Sequence, residues 1–170
     1  TYEGGPLFAK APAKGDWQPD SKALFVEDDT LIYDIGWLGS IEAEDMKVND
    51  GEWHIAVVTH KKGRTQLYLD GKRAADKSDF GRPDDMSHVF KLGACSANFP
   101  KDGPRSFPGH ISHAVFFNDE LSQKAVHGIS EGDINEEQVL FYHENEALEG
   151  EELEKPEDGE QEVDDDDDSK

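Results

Sequence analysis

The sequence holds a single cysteine, Cys95, in 170 residues. No disulfide can form within the chain, and no disulfide framework argues for secretion. No apolar run approaches the roughly 20 residues of a membrane span. No signal peptide or initiator Met opens the sequence, which reads as a mature form or a fragment of a longer protein. Basic residues are scarce in the last quarter. Residues 131–170 hold 19 acids and 2 bases, a net charge of −17 out of −22 for the whole chain. Residues 1–130 therefore carry only −5, an ordinary globular balance. Phosphate binding relies on clustered Lys and Arg, so nucleic acid is not expected as a partner.

What the sequence does have is seven short apolar runs. They are Leu7 to Ala9, Ala23 to Val26, Leu31 to Ile35, Trp53 to Val58, Leu67 to Leu69, Val89 to Leu92 and Ile111 to Phe117. Each has the length of a strand and is too short for a typical helix. Turn-forming residues separate them, among them Asp28 and Asp29, Asn49 to Gly51, Lys61 to Gly63, and Asp70 and Gly71. Short strands punctuated this regularly predict an all-β antiparallel sandwich. One short helix is predicted over Leu121 to Ile129, with Ser122 as a possible cap. Val139 to Tyr142 reads equally as strand or helix. From Glu149 onward almost nothing apolar remains, and such a segment is expected to be disordered. Cys95, at the end of the predicted Val89 to Leu92 strand, reads as a structural thiol.

The segment Asn49 to Asp76 is the most specific. Trp53, Ile55 and Val57 alternate in phase and are expected to point together into the sandwich, with Trp53 a buried core residue. Leu67 and Leu69 return on one face, and Asp70 and Gly71 form a tight turn. Asp50, Gly51, Trp53 and His54, followed by Tyr68, Asp70 and Gly71, resemble the D-G-x-W-H and Y-x-D-G strands of the laminin G-like and pentraxin-like branch of the concanavalin A-like superfamily. Lys91 to Gly93 agree with the later strand of that family. Phe107, Gly109, Ile111 and Phe116, then Asp119 to Ser122, agree with its closing strand and short helix. The resemblance covers roughly Gly5 to Ile129.

It implies a two-sheet antiparallel jelly roll over residues 1–130, a C-terminal extension over 131–148 and a disordered acidic tail over 149–170. It also implies a non-catalytic carbohydrate-binding, lectin-like module of a larger protein, in an extracellular or cell-surface setting. The alternative is a structural or protein-interaction module that completes its sheet with a partner chain. Domains of this kind usually have a strand ahead of the segment resembling Gly5 to Lys10. Another chain, or Val139 to His143 folding back, is expected to supply that edge.

Some relatives are β-glucanases whose carboxylates alternate along one strand. Glu27 and Asp29 have that spacing, but Leu31 stands at the next in-phase position, and Glu42, Glu44 and Asp45 break phase. Both sets read as solvated turn acids, and no enzyme is expected. His54 and His60 read as a sandwich and a turn histidine, and His110 and His113 face opposite sides of one strand. No metal site and no cofactor is expected. A single Ca²⁺ on Asp34, Asp16 or backbone carbonyls is the minor alternative, since calcium needs six to eight oxygen ligands. The pentraxin calcium loop is not carried over, because Asp102 is the only acid in the corresponding segment. Sugar rings stack on flat aromatic faces while a few polar groups set orientation. The candidate ligand-binding residues are therefore Asp34 and Trp37 at a strand end, with Asn98, Phe99 and Arg105 in the variable loop. For Trp37 and Phe99 the competing reading is that they cap the sandwich.

Overall fold

In the computed structural model, residues 4–100, 105–134 and 139–144 are described. Ten strands and one helix follow in the order β1 (Gly5–Ala11), β2 (Lys22–Glu27), β3 (Thr30–Ile35), β4 (Gly39–Lys47), β5 (Ala56–Lys61), β6 (Arg64–Leu69), β7 (Lys72–Lys77), β8 (Val89–Leu92), β9 (His113–Phe117), α1 (Gln123–Ser130) and β10 (Val139–Glu144). One layer is a five-stranded antiparallel sheet in the order β4-β3-β2-β1-β8. The other contains β5-β6-β7. The β9-β10 ribbon lies beside it, since Phe117 packs with Val57 and Tyr68 while Phe116 meets Phe8 of the facing sheet. The expected jelly-roll sandwich is the observed fold.

Alternation sorts the side chains into three apolar layers. Between the sheets lie Leu24, Val26, Leu31, Tyr33, Ile35 and Ile41, which meet Leu67, Leu69 and Phe80. The opposite residues of the large sheet, Ala9, Ala23, Phe25 and Ile32, face outward. They are covered by Trp17 and Phe99 from two loops. Beyond the small sheet, Tyr68 is buried under Leu121 and Val126 of the helical segment. Ser122 caps α1 as expected, accepting the Ala125 N–H at 3.2 Å.

Three connections are two-residue turns. Asp28 and Asp29 (φ 46° and 73°), Lys62 and Gly63 (50° and 80°), and Asp70 and Gly71 (49° and 74°) all have positive φ at both positions. This is the turn whose twist matches antiparallel strands. Gly71 is required twice over, because a Cβ there would lie 2.5 Å from Ser130 Oγ of the helix.

Three expectations need correction. Trp53 is 68% exposed, and Ile55 is exposed as well. The alternation of Trp53, Ile55 and Val57 is real in the sequence, but β5 begins only at Ala56. The first two residues of the pattern are loop. Within the strand, Ala56 and Val58 face the inter-sheet core and Val57 faces the helix. Glu42 and Glu44 are not turn acids but outward residues of β4, alternating with buried Ile41 and Ala43. The Val139–Glu144 segment does fold back as a strand, yet it pairs with β9, while β1 is flanked by β2 and β8 and is not an edge. The expected disordered tail lies outside the described residues.

Candidate functional site

His54, within the signature segment, is structural. Its Nδ1 lies 2.9 Å from Asp70 Oδ2 and its Nε2 lies 2.9 Å from Asp50 Oδ1. Asp70 Oδ1 also accepts the Ile55 N–H, and Asp50 Oδ1 accepts the Glu52 N–H. The imidazole thus ties the turn before β5 to the turn after β6. Partial burial pulls its pKa down, but hydrogen bonds to Asp70 and Asp50 and their charges outweigh this and hold it above the ordinary value.

The other end of the large sheet is built differently. Lys10, Lys22, Ile35 and Gly39 are register neighbours in a row across β1, β2, β3 and β4. The β3-β4 hairpin, Gly36 to Leu38, projects from this row. It is pinned from behind: Gly36 N–H donates to Ser21 O at 2.8 Å, and Asp20 N–H donates to Gly36 O at 3.2 Å. A Cβ on Gly36 would lie 2.3 Å from Gln18 O, so only glycine allows this approach. Leu38 N–H closes the turn on Ile35 O at 2.8 Å. Trp37 therefore sits on an anchored tip, at φ 63°, with its side chain turned out and 73% exposed. A bulky residue in the left-handed region costs energy that the surrounding structure must offset, and such positions cluster at ligand sites.

Beside the hairpin the outer face carries Asp34, opposite Ser40 in register. Ser40 Oγ donates to Glu42 Oε1 at 3.2 Å. Burial pushes the Asp34 carboxyl up to about 6, against the lowering effect of its hydrogen bond from Trp17. Trp17 stacks on Phe99, with centroids 4.1 Å apart and planes 10° from parallel, and Phe99 meets Phe25 edge-on at 5.4 Å. Asn98 Oδ1 accepts the Trp17 N–H at 2.7 Å. The fold thus brings Asp34, Asn98 and Phe99 together through Trp17. Asn98 and Phe99 fasten the loop to the sheet. Trp37 stands exposed one residue beyond Gly36. Arg105 is exposed in the loop that follows and lies close enough to Cys95 for its charge to lower that thiol's pKa. Burial, the larger effect, raises it, as befits a packed cysteine.

Trp17 and Ser40 were not singled out by the sequence, and Glu42 was weighed there only as a hydrolase carboxylate. Trp17 lies in a coil, where no period marks it, and Ser40 and Glu42 stand on a strand with little apolar content. Of the carboxylates considered for hydrolysis, Glu42 and Glu44 share the outward face of β4, whereas Glu27 and Asp29 do not share a strand face. Glu27 ends β2, while Asp29 lies in the following turn and binds Lys47 at 3.2 Å and Asn49. Among the described residues, no three His, Cys, Asp or Glu side chains are grouped as metal ligands. No described helix is long and apolar enough to cross a membrane.

Residues 23–127 match the model of the concanavalin A-like lectin/glucanases superfamily. The chain belongs to this superfamily. Its domains often serve as carbohydrate-binding or interaction modules, and the laminin G-like and pentraxin-like branch is generally non-catalytic. Among solved structures, the native heptameric SAP-like pentraxin from Limulus polyphemus superposes with a TM-score of 0.56 at 17% identity, over 76% of this chain and 64% of that one. An S-layer domain-containing protein from Clostridium thermocellum gives a TM-score of 0.44 at 18% identity over the same shares. The chain thus spans less than two thirds of either structure, and likeness at this identity speaks for the fold alone. Comparison with curated proteins gives no match.

Proposed function

We propose that the chain is a non-catalytic carbohydrate-binding module whose primary contact is Trp37. One observation carries this reading: a largely exposed indole held in a left-handed conformation on a hairpin pinned from behind. A flat apolar face fixed in this way suits the apolar face of a pyranose. Rigid presentation lowers the ordering cost of binding. Asp34, Ser40 and Glu42 are the nearby groups able to accept or donate to sugar hydroxyls. Asn98, Phe99 and Arg105 hold or border the supporting loop. Binding in this reading needs no calcium, and the setting is extracellular or at a cell surface.

A glycan array covering plant, algal and animal sugars tests it. The expected result is binding that survives EDTA and is lost in Trp37→Ala with an unchanged melting temperature. No binding to any glycan by the folded protein would sink the proposal. The Glu27 and Asp29 placement favours no hydrolysis, and the same glycans should be recovered uncut.

A further inference from the structure

Lys10 and Lys22 face each other directly across β1 and β2. Both point into the space between the sheets, on the face that carries Phe8 and Leu24, and their side chains are only 11% and 12% exposed. Like charges opposite one another on a sheet face are destabilising, and burying ammonium groups adds to that cost. Local rules are broken in this way mainly where a site is at work. One carboxylate answers both charges. Asp84, from the β7-β8 connection, takes Lys10 Nζ on Oδ2 and Lys22 Nζ on Oδ1, each at 2.8 Å. Burial would raise the pKa of Asp84, but the two ammonium groups hold it below the usual range. Lys22 Nζ also donates to the Asp20 and Pro83 carbonyls, at 3.3 and 3.2 Å, and Asp85 lies near enough to Lys10 to interact with its charge.

In front of this fork lies a cleft of about 660 Å³, where the two sheets part. Phe8, Phe90 and Phe116 form its apolar side. Phe90 is 53% exposed, with its ring centroid 4.3 Å from that of Phe116 and 5.3 Å from Lys10 Nζ. Lys62 and Arg82 add positive charge at the rim, Arg82 lying 3.5 Å from Asp20. An exposed aromatic face therefore stands next to a two-lysine fork. Both lie at the end of the sheet from which the Trp37 hairpin projects.

We infer that this cleft is a subsite for a carboxylate-bearing sugar ring, the uronate unit of an acidic glycan. The ring lies on Phe90, and the carboxylate takes the seat between Lys10 and Lys22 that Asp84 holds. The inference rests on the glycan-binding reading and adds to it an acidic subsite on the far side of the hairpin from Asp34 and Glu42. An acidic peptide offers carboxylates but no flat saturated ring for Phe90, so the sugar is favoured.

The test is calorimetric titration with oligomers of galacturonate, glucuronate, mannuronate and guluronate, each beside its carboxyl-reduced form, and with a hexaglutamate peptide. The expected result is binding of at least one uronate oligomer, about tenfold weaker after carboxyl reduction. Lys10→Gln and Lys22→Gln should each weaken it about tenfold. Asp84→Asn, which removes the built-in competitor, should strengthen it severalfold; this arm also keeps the test decisive if a lysine variant fails to fold. If Asp84 is only a latch, its loss will leave binding equal or weaker, and the inference falls. It falls equally if hexaglutamate binds as tightly as the uronates. Binding of the reduced oligomers alone would overturn the subsite while leaving Trp37 as the contact. No binding of any sugar, here or on the array, would remove both.

Discussion

Two tryptophans, Trp37 and Trp53, are exposed to nearly the same degree, 73% and 68%, yet their surroundings differ. Trp37 tips a hairpin whose backbone is bonded to a second loop and whose φ is left-handed. Trp53 lies in the coil ahead of β5, next to His54, which clasps Asp50 and Asp70. At the first end the supporting bonds present the aromatic. At the second they close two turns, and the aromatic is left over. The two side chains differ in the scaffold behind them and not in exposure, and the proposed function rests on that difference.

The largest expected effect lies at neither tryptophan. Phe80 is fully buried between the sheets, and Phe80→Ala should cost about 3 to 5 kcal/mol in a denaturant or thermal melt. Trp53→Ala should stay within about 0.5 kcal/mol, the usual range for surface positions. A large loss in Trp53→Ala would restore it to the core. Next comes Gly71→Ala, which forces a side chain into φ 74° and against Ser130 and His127. It should cost about 1 to 3 kcal/mol, measured the same way.

His54→Gln should cost about 1 kcal/mol, the scale of a lost hydrogen bond, and the loss should depend on pH. A histidine whose folded pKa is raised binds its proton more tightly when folded. Its contribution is complete below the ordinary value of 6.5 and is lost as pH rises through the raised value. The gap between wild type and His54→Gln should therefore narrow from pH 5.5 to pH 9. A gap that widens would mean the ring is neutral in the clasp. Asp34 has the opposite consequence. Its carboxyl is raised from 3.8 to about 6, so the folded state favours the protonated form. Stability falls as pH rises from the lower value through the higher one, and the penalty is complete above it. Asp34→Asn should be more stable than wild type at pH 8 and less advantaged at pH 4. The gain should be about 1 kcal/mol or less, since the group is partly solvated. Equal stability at pH 8 would show that Asp34 carries no strain.

The turns were the most legible part of the sequence. Asp28-Asp29, Lys62-Gly63 and Asp70-Gly71 are residue pairs that tolerate positive φ, and they fixed the hairpins. The buried strands β2, β3 and β6 were visible as apolar runs because both of their faces are covered. β4 and β7 were not, since GSIEAEDMK and KRAADK bury few side chains and carry the charges typical of sheet edges. For Trp53 the period was present, but a period does not say where a strand begins. At the candidate site, Trp37 between glycines was legible. The grouping of Asp34 with Asn98 and Phe99 through Trp17 was not, because it depends on a coil folding over the outer face. The inward Lys10 and Lys22 were hidden by lying at strand ends, where lysine is ordinarily solvated.

In the proposed function the anchored hairpin, and not the signature loop, meets the ligand. The most direct measurement is the affinity of wild type, Trp37→Ala and Trp53→Ala for the strongest array glycan, by titration on samples with matched melting temperatures. The expected result is a loss of about tenfold, near 1.4 kcal/mol, in Trp37→Ala and none in Trp53→Ala. Unchanged affinity in Trp37→Ala, or a loss confined to Trp53→Ala, would contradict it.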